Sequence, residues 1–208
     1  PTGHTLSSAE ESQVRIHEAG HYIVGRAWGL PFHFISARPG LSGLGFTFLS
    51  DDSEIFSFEK IEYMIASAFG GREAEKIFDI PQNTGWGSDF GKINELAEDL
   101  LDCGYRSQKL LQKYGLVALA RMTENTSQQA MFDLESIELR ELISRAEGYA
   151  REAIEFFGEE TIQKISDALA SRADGVMLQK ELDEFLEPRL SEFHKGHKIK
   201  DWIDDGVF

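Results

Sequence analysis

The sequence predicts a mostly α-helical domain with one small antiparallel β-sheet after its first helix. Helical patterning runs through several long stretches. Only "FHFISARPGLSGLGFTFLS" places β-type residues on both sides of a Pro/Gly-rich turn. Hydrophobic residues make up 41% of the 208, enough for a real core and too many for wholesale disorder. The length allows one large domain or two small ones.

The first helix is expected over about 8–28. Ser7 and Ser8 stand three residues before Glu10 and Glu11, which is capping-box spacing, and Gly29 and Pro31 end the segment. Ile16, Ala19, Val24 and Ala27 can face a core. Two short strands follow, one around Phe32, Phe34 and Ser36 and one over 45–49. A second helix is expected over 58–78. Its Gly70-Gly71 pair costs roughly 2 kcal/mol relative to two alanines, tolerable where another backbone packs closely. "DIPQNTGWGSD" reads as a loop, and a third helix runs from near Asp89 to about Cys103, with Gly104 as a break. Helices over 108–114, 134–157, 160–172 and 178–186 complete the pattern. Pro188 and "HKGHKIKDWIDDGVF" come last, dividing the chain into a domain over 1–190 and a polar C-terminal tail over 191–208.

A net charge of −15 and a pI of about 4.8 argue against a nucleic-acid partner, which needs a basic surface, and match an anionic membrane poorly. No apolar run approaches the ~20 residues of a membrane span, and no signal-peptide pattern opens the chain. The single cysteine, Cys103, rules out an internal disulfide and suits a reducing compartment. Its expected role is buried and structural. A cytoplasmic location follows, with membrane association if the full-length protein carries membrane helices. The opening "PTGHTLSSAEES", without methionine, fits an excised fragment and a processed N-terminus equally.

The chemistry concentrates in "RIHEAGHYIVG". His17 and His21 lie four apart, on one face of the first helix, with Glu18 directly after the first. Two imidazoles so placed can share one tetrahedral Zn²⁺, and the carboxylate between them points at the water in the remaining position. Zinc lowers the pKa of that water towards ~7, and Glu18 can take its proton as general base and return it to a leaving amine. The motif arises by chance in on the order of 1% of chains this long, so its surroundings must decide. Ala19 and Gly20 inside it allow close approach of another segment, which a solvated charged face would not need. A third ligand is required. His4, His33, His194, His197 and many carboxylates are available. The "HKGH" pair reads as solvated tail, and His33 points outward or towards a substrate. Asp89 is better held, following the glycine-rich loop "TGWGS" and opening a helix, although a helix N-cap is its ordinary role.

"HEAGH" on a long helix, then "GLGFTFLS", "FGGREAEKI" and "NTGWGSDFGKINELAEDLL" together resemble the peptidase domain of the FtsH family, peptidase family M41, over about 8–187. The resemblance implies a helical zinc-metallopeptidase fold with one Zn²⁺ per chain, held by His17, His21 and Asp89, and Glu18 as general base. It implies that "GGREAE" packs behind the site, with Arg72 and Glu75 as a buried pair or as supports of the ligands. The strand at Gly45, Phe46, Thr47 and Phe48 becomes an exposed edge on which an extended substrate adds as a strand. Phe46, Phe48 and Trp86 can line side-chain pockets, or belong to the core. The implied activity is endopeptidase cleavage of unfolded polypeptides, and the implied assembly a homo-oligomer, a hexameric ring.

FtsH-type proteins also carry an AAA ATPase domain and membrane helices. Here the phosphate-cradling G-x-x-x-x-G-K-[ST] loop is missing: "GSDFGKI" has the wrong spacing and no Ser/Thr after Lys92. The chain is therefore expected not to use ATP itself. It is either the peptidase piece of a longer protein with an ATPase domain or partner, or a stand-alone relative. Trp86-Gly87 is bulkier than the family's loop and narrows access to the metal. Two other functions compete: a non-catalytic relative serving as an oligomerisation module, disfavoured by the intact Glu18, and a zinc hydrolase of non-peptide amides, disfavoured by the edge-strand pattern.

Overall fold

The computed structural model describes residues 6–38, 46–49, 57–81, 87–103, 105 and 128–199, without the side chains of 46–49 and 128–135. Helix α1 is Ser8–Ala27, followed by strands β1 (Phe32–Ser36) and β2 (Phe46–Leu49). Helices α2 (Phe58–Ile77), α3 (Gly87–Asp102) and α4 (Gln128–Ser171) come next. Strand β3 (Val176–Leu178) and helices α5 (Gln179–Leu186) and α6 (Arg189–His197) close the chain. The domain is mostly α with a small antiparallel sheet. The helix expected over 108–114 lies outside the described residues.

Local chemistry sets the ends of α1. The Ser7 hydroxyl accepts from the Glu10 amide at 3.3 Å, and the Glu10 carboxylate accepts from the Ser7 amide at 2.7 Å, which completes the capping box. At the other end Gly29 takes φ 81°, and the Leu30 amide reaches back to the Gly25 carbonyl at 2.8 Å. Ser57 caps α2 through the Lys60 amide. A break at Gly158, with φ 75° and ψ 172°, divides α4.

Helix α1 packs against α2 and α4, and α3 lies against α2. Ile16, Ala19, Val24 and Ala27 are buried as expected, with Tyr22, Ile23, Ile65, Leu142 and Ile154. The α1/α2 contact is close enough to need glycine. A Cβ on Gly20 would lie 2.3 Å from the Gly70 carbonyl oxygen, and one on Gly70 would lie 2.4 Å from that of Gly20.

The sheet order is β2-β1-β3, with both pairings antiparallel and a bulge in β1 between Phe32 and Phe34. Sequence patterning misses β3, because three residues leading directly into a helix give no period. The two edges differ. On β3 the Val176 amide donates to the Asp174 carboxylate at 3.2 Å and the Leu178 amide to Glu181 at 3.0 Å, so local side chains occupy two of its amides. Among the described residues β2 forms the opposite edge.

Two expectations are corrected. Cys103 is exposed, because α3 ends at Asp102 and the thiol falls beyond the buried stripe of Ile93, Leu96, Ala97 and Leu100. Residues 191 onward do not begin as a polar tail. α6 crosses the 190/191 division and buries Leu190 and Phe193, and the Phe193 ring sits edge-on to Trp28 at 5.2 Å. Two apolar anchors spaced three apart suffice to dock a short, otherwise polar helix.

Candidate metal centre

Helix α1 presents His17 and His21 one turn apart, and their Nε2 atoms meet at 3.0 Å. The first turn of α3 brings in Asp89, its Oδ2 2.9 Å from His17 Nε2 and 3.5 Å from His21 Nε2. Asp89 is the third residue of α3 rather than its cap, at the helix end where a carboxylate is electrostatically favoured. These three ligand atoms lie within 4.8 Å of one another. Ligand atoms about 2.0–2.2 Å from a tetrahedral ion stand roughly 3.3–3.6 Å apart, so the triangle has the size of a zinc face, slightly contracted.

Each imidazole is oriented from behind. His17 Nδ1 donates to Glu75 Oε1 at 3.1 Å, and His21 Nδ1 donates to the Ser67 carbonyl at 2.8 Å. The Gly71 amide lies 3.3 Å from the same His21 nitrogen, a longer contact than the carbonyl makes. With Nδ1 so engaged, both Nε2 atoms turn towards Asp89, where they can become metal ligands on losing their protons. Gly71 makes room for this: a Cβ there would fall 2.5–2.7 Å from three atoms of the His17 ring.

The electrostatics favour positive charge. Burial works against a proton on His17, but hydrogen bonds to Asp89 and Glu75, and the charges of Asp89 and Glu18, outweigh it and push its pKa up to about 10. For His21, burial and the His17 charge oppose protonation, and Asp89 and Glu18 prevail, again raising the pKa. Burial disfavours ionised Asp89, yet the two histidines hold its carboxyl well below the usual range. Glu18 is itself 5% exposed. The cluster thus attracts positive charge, which a divalent cation would supply. Among the described residues three candidate ligands converge, and two imidazoles with one carboxylate suit zinc.

The family model for peptidase family M41 matches residues 4–182. The chain belongs to peptidase family M41. Among the similar proteins of known name is the ATP-dependent zinc metalloprotease FtsH of Streptococcus pneumoniae, 29% identical over 174 residues, 79% of this chain and 26% of the relative. FtsH 1 of Bdellovibrio bacteriovorus, also named an ATP-dependent zinc metalloprotease, is 35% identical over 109 residues, 50% of this chain and 17% of its own. The chloroplastic FTSH 1 of Arabidopsis thaliana, with the same description, is 30% identical over 169 residues, 72% and 23%. The chain spans about a quarter or less of the length of these relatives.

Of the residues that the M41 resemblance nominates, His17, Glu18, His21, Glu75 and Asp89 come together. Arg72 does not pair with Glu75. Its guanidinium stands 4.0 Å from Glu147 on α4. His33 is exposed on β1, away from the cluster. His194 bonds the Arg26 carbonyl at 2.9 Å, and His197 bonds Glu152 at 2.9 Å, so the "HKGH" pair anchors α6. Gly45, Trp86 and His4 lie outside the described residues, as do the side chains of Phe46, Thr47 and Phe48. Sequence reasoning missed the Ser67 carbonyl, the room Gly71 leaves for His17, and Gln13, whose Nε2 donates to Glu75 Oε1 at 3.2 Å. A carbonyl has no sequence signal, but the spacing 13, 17, 21 marks one helical stripe.

Proposed function

We propose that this chain is a zinc-dependent endopeptidase domain that hydrolyses peptide bonds of unfolded polypeptides. The observation that carries the proposal is the convergence of His17 Nε2, His21 Nε2 and Asp89 Oδ2 within 4.8 Å, with Glu18 buried beside them. His17, His21 and Asp89 would hold one Zn²⁺, which supplies Lewis acidity to water and to a peptide carbonyl. Glu18 takes the proton from the attacking water and passes it to the leaving amine, so one carboxylate serves as base and then acid. Glu75 and the Ser67 carbonyl keep the two imidazoles from turning away.

An extended substrate adds to the β2 edge at Gly45, Phe46, Thr47 and Phe48. The support is topological: among the described residues β2 is an outer strand, and the opposite edge has amides taken by Asp174 and Glu181. Backbone pairing reads little sequence, which suits unfolded chains of many kinds. The names of the relatives support coupling to an ATPase domain or partner in the full-length protein. A homo-oligomeric ring and a cytoplasmic site of action are parts of the same proposal.

Chelation tests it. Treating the protein with a strong chelator should abolish cleavage of an unfolded protein such as casein, and added zinc should restore it. Cleavage that continues in zinc-free protein would contradict the proposal.

A further inference from the structure

Glu75 occupies a costly position. Its residue is 7% exposed, and it lies in the last turns of α2, where the helix dipole disfavours negative charge. A carboxylate there needs donors. Two are present, and both reach the same oxygen: His17 Nδ1 at 3.1 Å and Gln13 Nε2 at 3.2 Å. Gln13 stands one turn before His17 on α1, as His17 stands one turn before His21, so the three share the stripe that faces α2. The contacts form a continuous line: Gln13 to Glu75, Glu75 to His17, His17 to Asp89.

We infer that Gln13 is a positioning residue of the metal centre, acting through Glu75 on His17 and setting the affinity for zinc. The inference rests on the reading of His17, His21 and Asp89 as metal ligands. The physical argument concerns rotation. A carboxylate held by a single donor can turn about its terminal torsion and still keep that bond. A second donor, one turn earlier on α1, restricts the turn and fixes Oε1 where His17 Nδ1 needs it. The imidazole is thereby held with Nε2 towards Asp89 before any metal arrives. An amide suits the role because it donates without a charge, leaving the negative charge of Glu75 to act on His17 alone. Groups that support a metal ligand directly are worth about 10–100-fold in metal affinity, and one acting through such a group should be worth about 3–10-fold.

The test is zinc affinity by chelator competition on the full chain, for wild type, Q13M, E75Q and the double variant. Methionine keeps the length and helix preference of glutamine without the donor. Q13M should bind zinc about 3–10-fold more weakly, and E75Q more weakly still. The double variant should match E75Q, because Gln13 has nothing to hold once the carboxylate is gone. Should Q13M fail to fold, Q13N keeps a polar side chain too short to reach, with the same expected loss. Zinc affinity unchanged within about twofold in the folded variant would overturn the inference, as would losses that multiply in the double variant. Wild-type protein that binds no zinc would overturn the metal-centre reading itself, an outcome distinct from either.

Discussion

At the residue scale, the candidate centre depends on space as much as on ligands. Gly71 shows this. Substituting alanine should gain helix propensity of about 1 kcal/mol. The new methyl would lie 2.5–2.7 Å from the His17 ring, so the ring must swing from its hydrogen bonds to Glu75 and Asp89. G71A is therefore expected to keep most of its stability against urea while binding zinc at least about tenfold more weakly. Equal zinc affinity in G71A and wild type would mean that His17 has freedom the packing denies. The candidate ligands His17 and His21 were legible in the sequence because helical period alone sets two side chains on one face. Asp89 was not legible from spacing. It lies on another helix; the glycine-rich loop before it singled it out among the carboxylates, and the resemblance favoured it as a ligand over an ordinary N-cap. Gly71 was read together with Gly70 as a site of close helix contact, although only Gly70 meets the backbone of α1.

At the element scale, two of the contacts that hold the helix carrying the histidines can be tested by substitution. One is the glycine crossing with α2. In G20A a methyl would meet the Gly70 carbonyl at 2.3 Å and Ala74 at 2.7 Å, and backbone cannot move aside unless the helices part. A loss of about 3 kcal/mol in chemical unfolding is expected, the upper end of overpacking costs. A variant as stable as wild type would show that α1 and α2 slide freely. The other contact is α6, which docks on the end of α1 through Phe193, His194 and His197. The His197 ring stacks on Phe193 at 4.0 Å and bonds Glu152. Burial opposes its proton, but the hydrogen bonds to Glu152 and the Phe193 carbonyl outweigh burial and raise its pKa above 6.5. A raised histidine pKa stabilises fully below the unfolded value and loses that contribution as pH rises through the folded one. The Tm advantage of wild type over H197Q should accordingly be greatest near pH 6 and shrink as pH rises above 7. An advantage that grows with pH would reverse the assigned sign. Neither α6 nor β3 was legible in the sequence. Both are short, and their places come from tertiary contacts: two apolar anchors for one, pairing with β1 for the other.

At the scale of the whole molecule, the long helices and the first two strands followed from capping residues, glycine stops and apolar period, and the mostly α architecture followed with them. The sheet matters because it offers unlike edges: on β3 two amides are taken by the neighbouring carboxylates of Asp174 and Glu181, while β2 lies on the other side of β1. No helix among the described residues is long and apolar enough to cross a membrane. The chain also matches only a fraction of the length of its relatives. In the proposed function, Glu18 moves the proton at this centre while His17, His21 and Asp89 hold the metal. The most direct measurement determines bound zinc and casein cleavage side by side for wild type and Glu18→Gln. The expected result is about one zinc per chain in both proteins, with cleavage reduced by about 10²–10⁴-fold in the variant, the range for loss of a general base. Comparable cleavage by the two proteins, or a folded wild type that takes up no zinc, would contradict the account.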